Sequence, residues 1–317
     1  MQSMQKEIIH SAQKIMAQLR RAVLGKDDVM LWVMAAILAR GHILMEDIPG
    51  VGKTTMALAF SKTLQLDCNR MQFTPDVLPS DVTGYSILDQ KTGQMVYREG
   101  AVLCNLFLAD ELNRATSRTQ AALLEAMEEG QVTVDGVTHK VPQPFVVIAT
   151  QNPTGAAGTQ LLPDSQMDRF MIRLSMGYPA PNDEMQMIFQ RRQGNPLEAM
   201  ECLVSQQQLL QMQETVEHTY IGEPVIRYVV DLVSATRNHP LILRGGSPRA
   251  TLAAVALAKS IAQLRGRDFV VPEDVQEVFP HVLAHRLLLA SAAHAQHKDA
   301  GMILREILST VPQPKLR

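Results

Sequence analysis

The sequence predicts an α/β fold around a parallel sheet, continued by an all-helical domain. Strand-length apolar runs alternate with helix-length segments through the first half of the 317-residue chain, the order that parallel strands need for their crossover connections. A glycine-bearing turn joins the first of these strands directly to a helix. Beyond a proline-rich break near residue 180 the patterning is helical alone.

Taken in order, Ile8, Ile15, Met16 and Leu19 recur at helical spacing over 8–20, and a second helix over 29–40 ends near Gly41. A short strand over 42–46 leads to a helix over 53–64. The alternation continues with a strand over 106–109, a helix over 116–129 and a buried strand over 145–150. Two hairpins interrupt it. Residues 85–88 and 95–98 flank Lys91-Thr92-Gly93, while 131–134 and 137–141 flank Asp135-Gly136, a pair suited to the left-handed backbone of a two-residue turn. Tyr178-Pro179-Ala180-Pro181-Asn182 reads as a linker, because its prolines cannot continue a helix from the preceding segment. It divides the chain into an α/β unit over 1–178 and a helical lid over 183–317. Helices over 225–233, 251–264, 274–289 and 302–311 make that lid a bundle.

Composition narrows the function. With 46% hydrophobic residues the chain buries a full core. A net charge of −2 and 4% aromatics leave neither the basic footprint nor the stacking platforms of a nucleic-acid binder. The three cysteines, Cys68, Cys104 and Cys202, are far apart and lack a C-x-x-C pair, which suits reduced thiols and a cytoplasmic location. The longest apolar run, 29–39, is well short of the ~20 residues of a membrane span, and the N-terminus has no signal-peptide core.

Three segments converge on phosphate chemistry. In Gly50-Val51-Gly52-Lys53-Thr54 the glycines let backbone N–H groups wrap a phosphate at a helix N-terminus, Lys53 supplies the counter-charge, and the Thr54 hydroxyl suits magnesium. Asp110-Glu111 ends an apolar strand, where open α/β sheets bind ligands. Asp110 is the candidate magnesium carboxylate and Glu111 the candidate general base. Asn152, after a third strand, is the candidate water-orienting amide. Asp47 stands where the usual phosphate loop has its first glycine.

With these residues assembled, the chain resembles the MoxR family of AAA+ ATPases and, more distantly, the ATPase subunit of magnesium chelatase. The resemblance rests on residues 46–54, Asp110-Glu111-Leu112-Asn113-Arg114-Ala115, Ala149-Thr150-Gln151-Asn152-Pro153, Met167-Asp168-Arg169-Phe170 and Gly246-Ser247-Pro248-Arg249-Ala250. It implies a P-loop AAA+ core with hairpin inserts and an all-α lid. ATP and Mg2+ would be bound along Pro49, Gly50, Val51, Gly52, Lys53, Thr54 and Thr55, with Val23 and Gly25 against the adenine. It further implies Asn152 as sensor 1, Arg169 as the arginine finger reaching a neighbour's nucleotide with Arg114 as a second candidate, and Arg249 as sensor 2 reaching phosphate from the lid. Read alone, Arg169 is a surface ion-pair residue, whereas Ser247 and Pro248 independently place Arg249 in the first turn of a helix. The resemblance also implies a homo-oligomer, a hexameric ring, acting on a partner protein with a von Willebrand factor type A domain. A nucleic-acid motor or clamp loader of the same superfamily is the alternative, and a small-molecule kinase a weaker one.

Overall fold

The structure, a computed structural model, describes residues 2–48, 50–152 and 162–315. Helix α1 (Gln2–Ala22) buries Ile8, Ala12, Ile15 and Leu19 along one stripe. Helix α2 (Asp27–Leu38) is apolar and buried nearly all round, with Asp27 and Asp28 in the first turn, where the helix dipole favours negative charge. Strand β1 (Ile43–Glu46) feeds helix α3 (Lys53–Thr63). Then come β2 (Cys68–Gln72), the short helix α4 (Pro79–Thr83), the hairpin of β3 (Gly84–Leu88) and β4 (Met95–Glu99), and β5 (Leu106–Asp110). Helix α5 (Ser117–Glu129) starts at Thr116, whose hydroxyl accepts the Thr119 N–H. A second hairpin, β6 (Gln131–Val134) and β7 (Val137–Lys140), turns at Asp135 and Gly136, both with positive φ as the sequence anticipated. Strand β8 (Val146–Gln151), helix α6 (Asp164–Met167) and β9 (Ile172–Leu174) complete this half.

The central sheet is parallel throughout, in the order β2-β5-β8-β1-β9. Both faces are covered, so its central strands β5, β8 and β1 are apolar on both sides. Ile43, Met45, Leu106, Leu108 and Ile148 join a core shared with α1, α2, α3 and the lid. Leu44, Phe107, Ala109 and Val147 pack on the other side, with Leu123 and Leu124 of α5 and with Phe73.

Strands β2 and β9 escape the sequence reading. Cys68-Asn69-Arg70-Met71-Gln72 is polar and β9 is three residues long, and both are edge strands, where neither long apolar runs nor clean alternation is required. The segment expected to be a linker also differs. Pro181 is the first residue of α7 (Pro181–Gln193), because proline's fixed φ and missing N–H are tolerated there.

The helical second half continues with α8 (Gln206–Glu217), α9 (Glu223–Arg237), β10 (Ile242–Arg244), α10 (Pro248–Leu264) and α11 (Pro272–Leu283). It ends with β11 (Leu288–Leu289), α12 (Ser291–Ala295) and α13 (Ala300–Thr310). Helix α10 is the hub, packing on α1, α2, α8, α9 and α11. The helix expected over 274–289 stops at Leu283 because His285 and Arg286 turn inward to bind backbone of the α/β half. The cysteines are free thiols, as the sequence suggested, and burial pushes the Cys104 thiol up to about 12. No helix among the described residues is long and apolar enough to cross a membrane.

Candidate active site

Between β1 and α3 the chain makes a left-handed turn. Gly50 has φ +87° and Gly52 φ +100°, values that a side chain would strain. A Cβ on Gly50 would meet nothing within 4 Å, so the space over the loop is open to a ligand. Pro49 lies outside the described residues. Lys53, 8% exposed, folds its ammonium back on the loop, donating to the Asp47 carbonyl at 3.0 Å and the Ile48 carbonyl at 3.1 Å. Two of its three N–H donors are thus spent on positioning, leaving the third for a phosphate oxygen. Burial lowers its pKa, opposed by Asp47, Asp110 and Glu111.

Asp47 has a structural reason to replace glycine. Its carboxylate accepts from the Ser175 hydroxyl at 2.7 Å, the Met176 N–H at 2.5 Å and the Gly177 N–H at 3.1 Å. The segment after β9 is thereby tied to the phosphate loop.

At the end of β5, Asp110 Oδ1 accepts from the Thr150 hydroxyl at 2.7 Å and Oδ2 from Arg70 at 2.8 Å. Thr150 in turn accepts the Glu111 N–H at 2.8 Å, holding Glu111 in a left-handed conformation, φ +54°. Arg114 pairs with Glu111 Oε2 at 2.7 Å within the same chain. The Asn152 carbonyl accepts from Asn113 at 3.3 Å.

Gly50, Gly52, Lys53, Thr54 and Thr55 therefore share one cavity of about 370 Å³ with Asp110, Glu111 and Asn152. Val51 instead packs on the main core and Val23 is part of it. Gly25, φ +65°, faces the first turn of α7 so closely that a Cβ would lie 1.9 Å from an Asp183 carboxylate oxygen. Next to it, Thr55 also borders a second cavity of about 490 Å³ with Ala22, Met187 and Arg191. The donor chemistry fits magnesium: Thr54 and Asp110 offer only hard oxygen atoms. No group of three His, Cys, Asp or Glu able to hold a metal occurs among the described residues.

The other two arginines lie elsewhere. Arg169 pairs with Glu128 at 3.1 Å, and Arg249 binds the other oxygen of the same carboxylate. Glu128 lies in the last turn of α5, which runs back to the amino end of the sheet. There His42 contacts the Met127 carbonyl at 3.2 Å and, through its own carbonyl, the Met171 N–H at 2.8 Å. The pair thus lies a strand length, roughly 15 Å, from the phosphate loop. The expectation that Arg249 reaches across a cleft to its own chain's phosphates is not met by this geometry. Ser247 does cap α10 as the sequence indicated, accepting the Ala250 N–H at 3.3 Å. Its hydroxyl also donates to Asp168, which pairs with the buried Arg286 at 2.8 Å. Arg70 and Gln72 are cavity residues that sequence reasoning missed, because they stand on the edge strand it did not recognise.

Residues 42–172 match the family model "ATPase family associated with various cellular activities (AAA)", and residues 234–307 match "AAA lid domain". Protein YeaC of Bacillus subtilis is 43% identical over 96% of this chain and 95% of its own. A putative ATPase from Cytophaga hutchinsonii has a solved structure that superposes with TM-score 0.91, at 33% identity, over 99% of this chain and 98% of its own. Chaperone MoxR1 of Mycobacterium tuberculosis is 37% identical over 97% of this chain and 84% of its own. A likeness of that depth, end to end and around a phosphate loop with its paired strand-end carboxylates, means that the chain belongs to the MoxR family of AAA+ ATPases.

Proposed function

We propose that the chain is a magnesium-dependent ATP hydrolase working as a ring of identical subunits, six by family resemblance. Its turnover remodels a partner protein carrying a von Willebrand factor type A domain. The observation that carries this reading is the separation of two half-sites: Lys53, Asp110 and Glu111 at the carboxyl end of the sheet, Arg169 and Arg249 at its amino end. A neighbour arranged head to tail brings its arginine pair to the phosphates that its partner's loop holds, and rings are what head-to-tail contacts generate when the rotation closes.

In this mechanism the loop N–H groups and Lys53 bind the β- and γ-phosphates, with the adenosine half beside Val23 and Gly25. Thr54 and Asp110 would hold magnesium, which would supply neutralisation of phosphate charge. Glu111 takes the proton of the attacking water once Arg114 releases its carboxylate, and Asn152 orients that water. The neighbour's Arg169 and Arg249 stabilise charge building on the transferred phosphoryl group. Remodelling accords with the chaperone designation of MoxR1. A net charge of −2 gives the nucleic-acid alternative no support.

Mixing experiments test the shared site. Arg169→Ala and Lys53→Ala are each expected to be inactive, since an arginine finger is worth about 10³–10⁵ in rate in GTPases. Mixed rings should regain part of the wild-type turnover at interfaces that pair an intact loop with an intact arginine. No recovery in rings verified to contain both variants defeats the shared-site reading.

A further inference from the structure

Arg70 has no part in the mechanism above, yet it is the cation nearest Asp110. It leaves edge strand β2, where its Cα pairs with Leu108 of β5. From there its guanidinium reaches to the strand end, 2.8 Å from Asp110 Oδ2 and 3.2 Å from Gln72 Oε1. The Asp110 side chain is 14% exposed and that of Arg70 49% exposed, so the pair sits at the cavity mouth with the carboxylate inside. Thr150 holds the other carboxylate oxygen at 2.7 Å. Both oxygen atoms of the candidate magnesium ligand therefore have partners within the chain, one of them a full positive charge.

That arrangement constrains which cations Asp110 accepts. A divalent ion arriving alone must share Asp110 with the guanidinium charge, and a guanidinium driven from Oδ2 keeps only Gln72 Oε1 and water. An ion arriving with a polyphosphate displaces it toward fresh phosphate oxygens, and arginine binds phosphate as readily as carboxylate. We propose that Arg70 is the resident counter-cation of Asp110: it keeps the carboxylate charge-balanced, makes divalent-ion binding conditional on nucleotide, and moves to phosphate when both arrive. This inference rests on the nucleotide-site reading above and assigns a positioning role to Arg70, not a step in the chemistry.

Manganese binding, followed by electron paramagnetic resonance on the full chain without nucleotide, provides the test. Arg70→Gln is expected to bind Mn2+ at least 10-fold more tightly than wild type, and Arg70→Lys to fall between them. Without metal, Arg70→Gln should bind ATP several-fold more weakly, because a phosphate partner is lost. The side chain is half exposed, so both variants are expected to fold, and circular dichroism verifies it. Asp110→Asn, alone and with Arg70→Gln, should abolish the tight Mn2+ site. Equal Mn2+ affinity in wild type and Arg70→Gln overturns the counter-cation role. Tight Mn2+ binding with ATP that survives Asp110→Asn instead refutes the site reading beneath it.

Discussion

Asp47→Ala isolates what the departure from the usual phosphate loop contributes. The carboxylate is 6% exposed and accepts hydrogen bonds from Ser175, Met176 and Gly177. Truncation removes all three, but their costs differ. Ser175 is exposed and its hydroxyl turns to water, whereas Met176 is buried and Gly177 half-buried. An orphaned buried donor costs about 1–3 kcal/mol. Taking about 2 kcal/mol for the Met176 N–H and about 1 kcal/mol for that of Gly177 gives about 3 kcal/mol of lost stability. At roughly 2–3 °C per kcal/mol for a chain of this size, Tm should fall by about 6–9 °C in differential scanning fluorimetry. Nucleotide affinity should change less than about 10-fold, since Gly50, Gly52 and Lys53 keep their places and Lys53 is held by the Asp47 carbonyl, which alanine retains. A Tm drop below about 2 °C, or loss of nucleotide binding at unchanged Tm, would refute the clamp.

Two further outcomes separate the roles within the cavity and in the core. Lys53→Ala should lose ATP binding, while Glu111→Gln should bind ATP in calorimetry and fail to release phosphate; wild-type turnover in Glu111→Gln removes the general-base role. His42 is, with His285, a buried histidine whose burial makes stability pH-dependent. Its Nδ1 accepts the Val147 N–H at 3.0 Å and its Nε2 faces the Met127 carbonyl, so it is neutral; desolvation lowers its pKa to about 4. A folded-state value below the unfolded ~6.5 means that the unfolded chain takes up the proton first. The stabilisation is complete above about pH 6.5 and is lost as pH falls toward 4, about 2 kcal/mol of it by pH 5. Urea unfolding at pH 7.5 and 5 checks the loss, and an NMR titration of His42 near pH 6.5 would contradict it.

What was legible in the sequence follows from where each signal is local. The glycine turn, Ser247 with Pro248, and Asp135-Gly136 each act within a few residues, and the structure has each as read. The central strands were legible because burial on both faces leaves continuous apolar runs. Edge strand β2 has neither an apolar run nor a clean alternation and resembles a loop, and with it Arg70 was lost. Which end of the sheet Arg249 faces was not legible for a different reason. Its helix start is local, but which end of the sheet that helix meets depends on α10 packing against α1 and α2, a contact between residues far apart in the chain.

Strand β9 joins two ends of the molecule: the segment that bears Arg169 precedes it and the segment held by Asp47 follows it. At its amino end the lid grips residues 168–171. Arg286 donates to the Phe170 carbonyl at 2.7 Å and the Met171 carbonyl at 3.0 Å, and His285 contacts the Phe170 carbonyl at 3.1 Å. Burial and the neighbouring Arg286 keep His285 well below its usual pKa, so this grip carries no second charge near Arg169. At the carboxyl end Asp47 grips residues 175–177. Only Ile172, Arg173 and Leu174 lie between, paired with Ile43, Leu44 and Met45 of β1, and Arg173 is braced by Glu46 at 2.9 Å. The lid carries Arg249 itself and fixes the loop that bears Arg169, so under the proposed reading both arginines travel with the lid. Any shift of that unit relative to the phosphate loop must slide β9 against β1 or break the Asp47 clamp. Under that reading, a three-residue strut held at both ends favours coupled motion of the subunit's own site and its neighbour's over closure of the lid on its own phosphates.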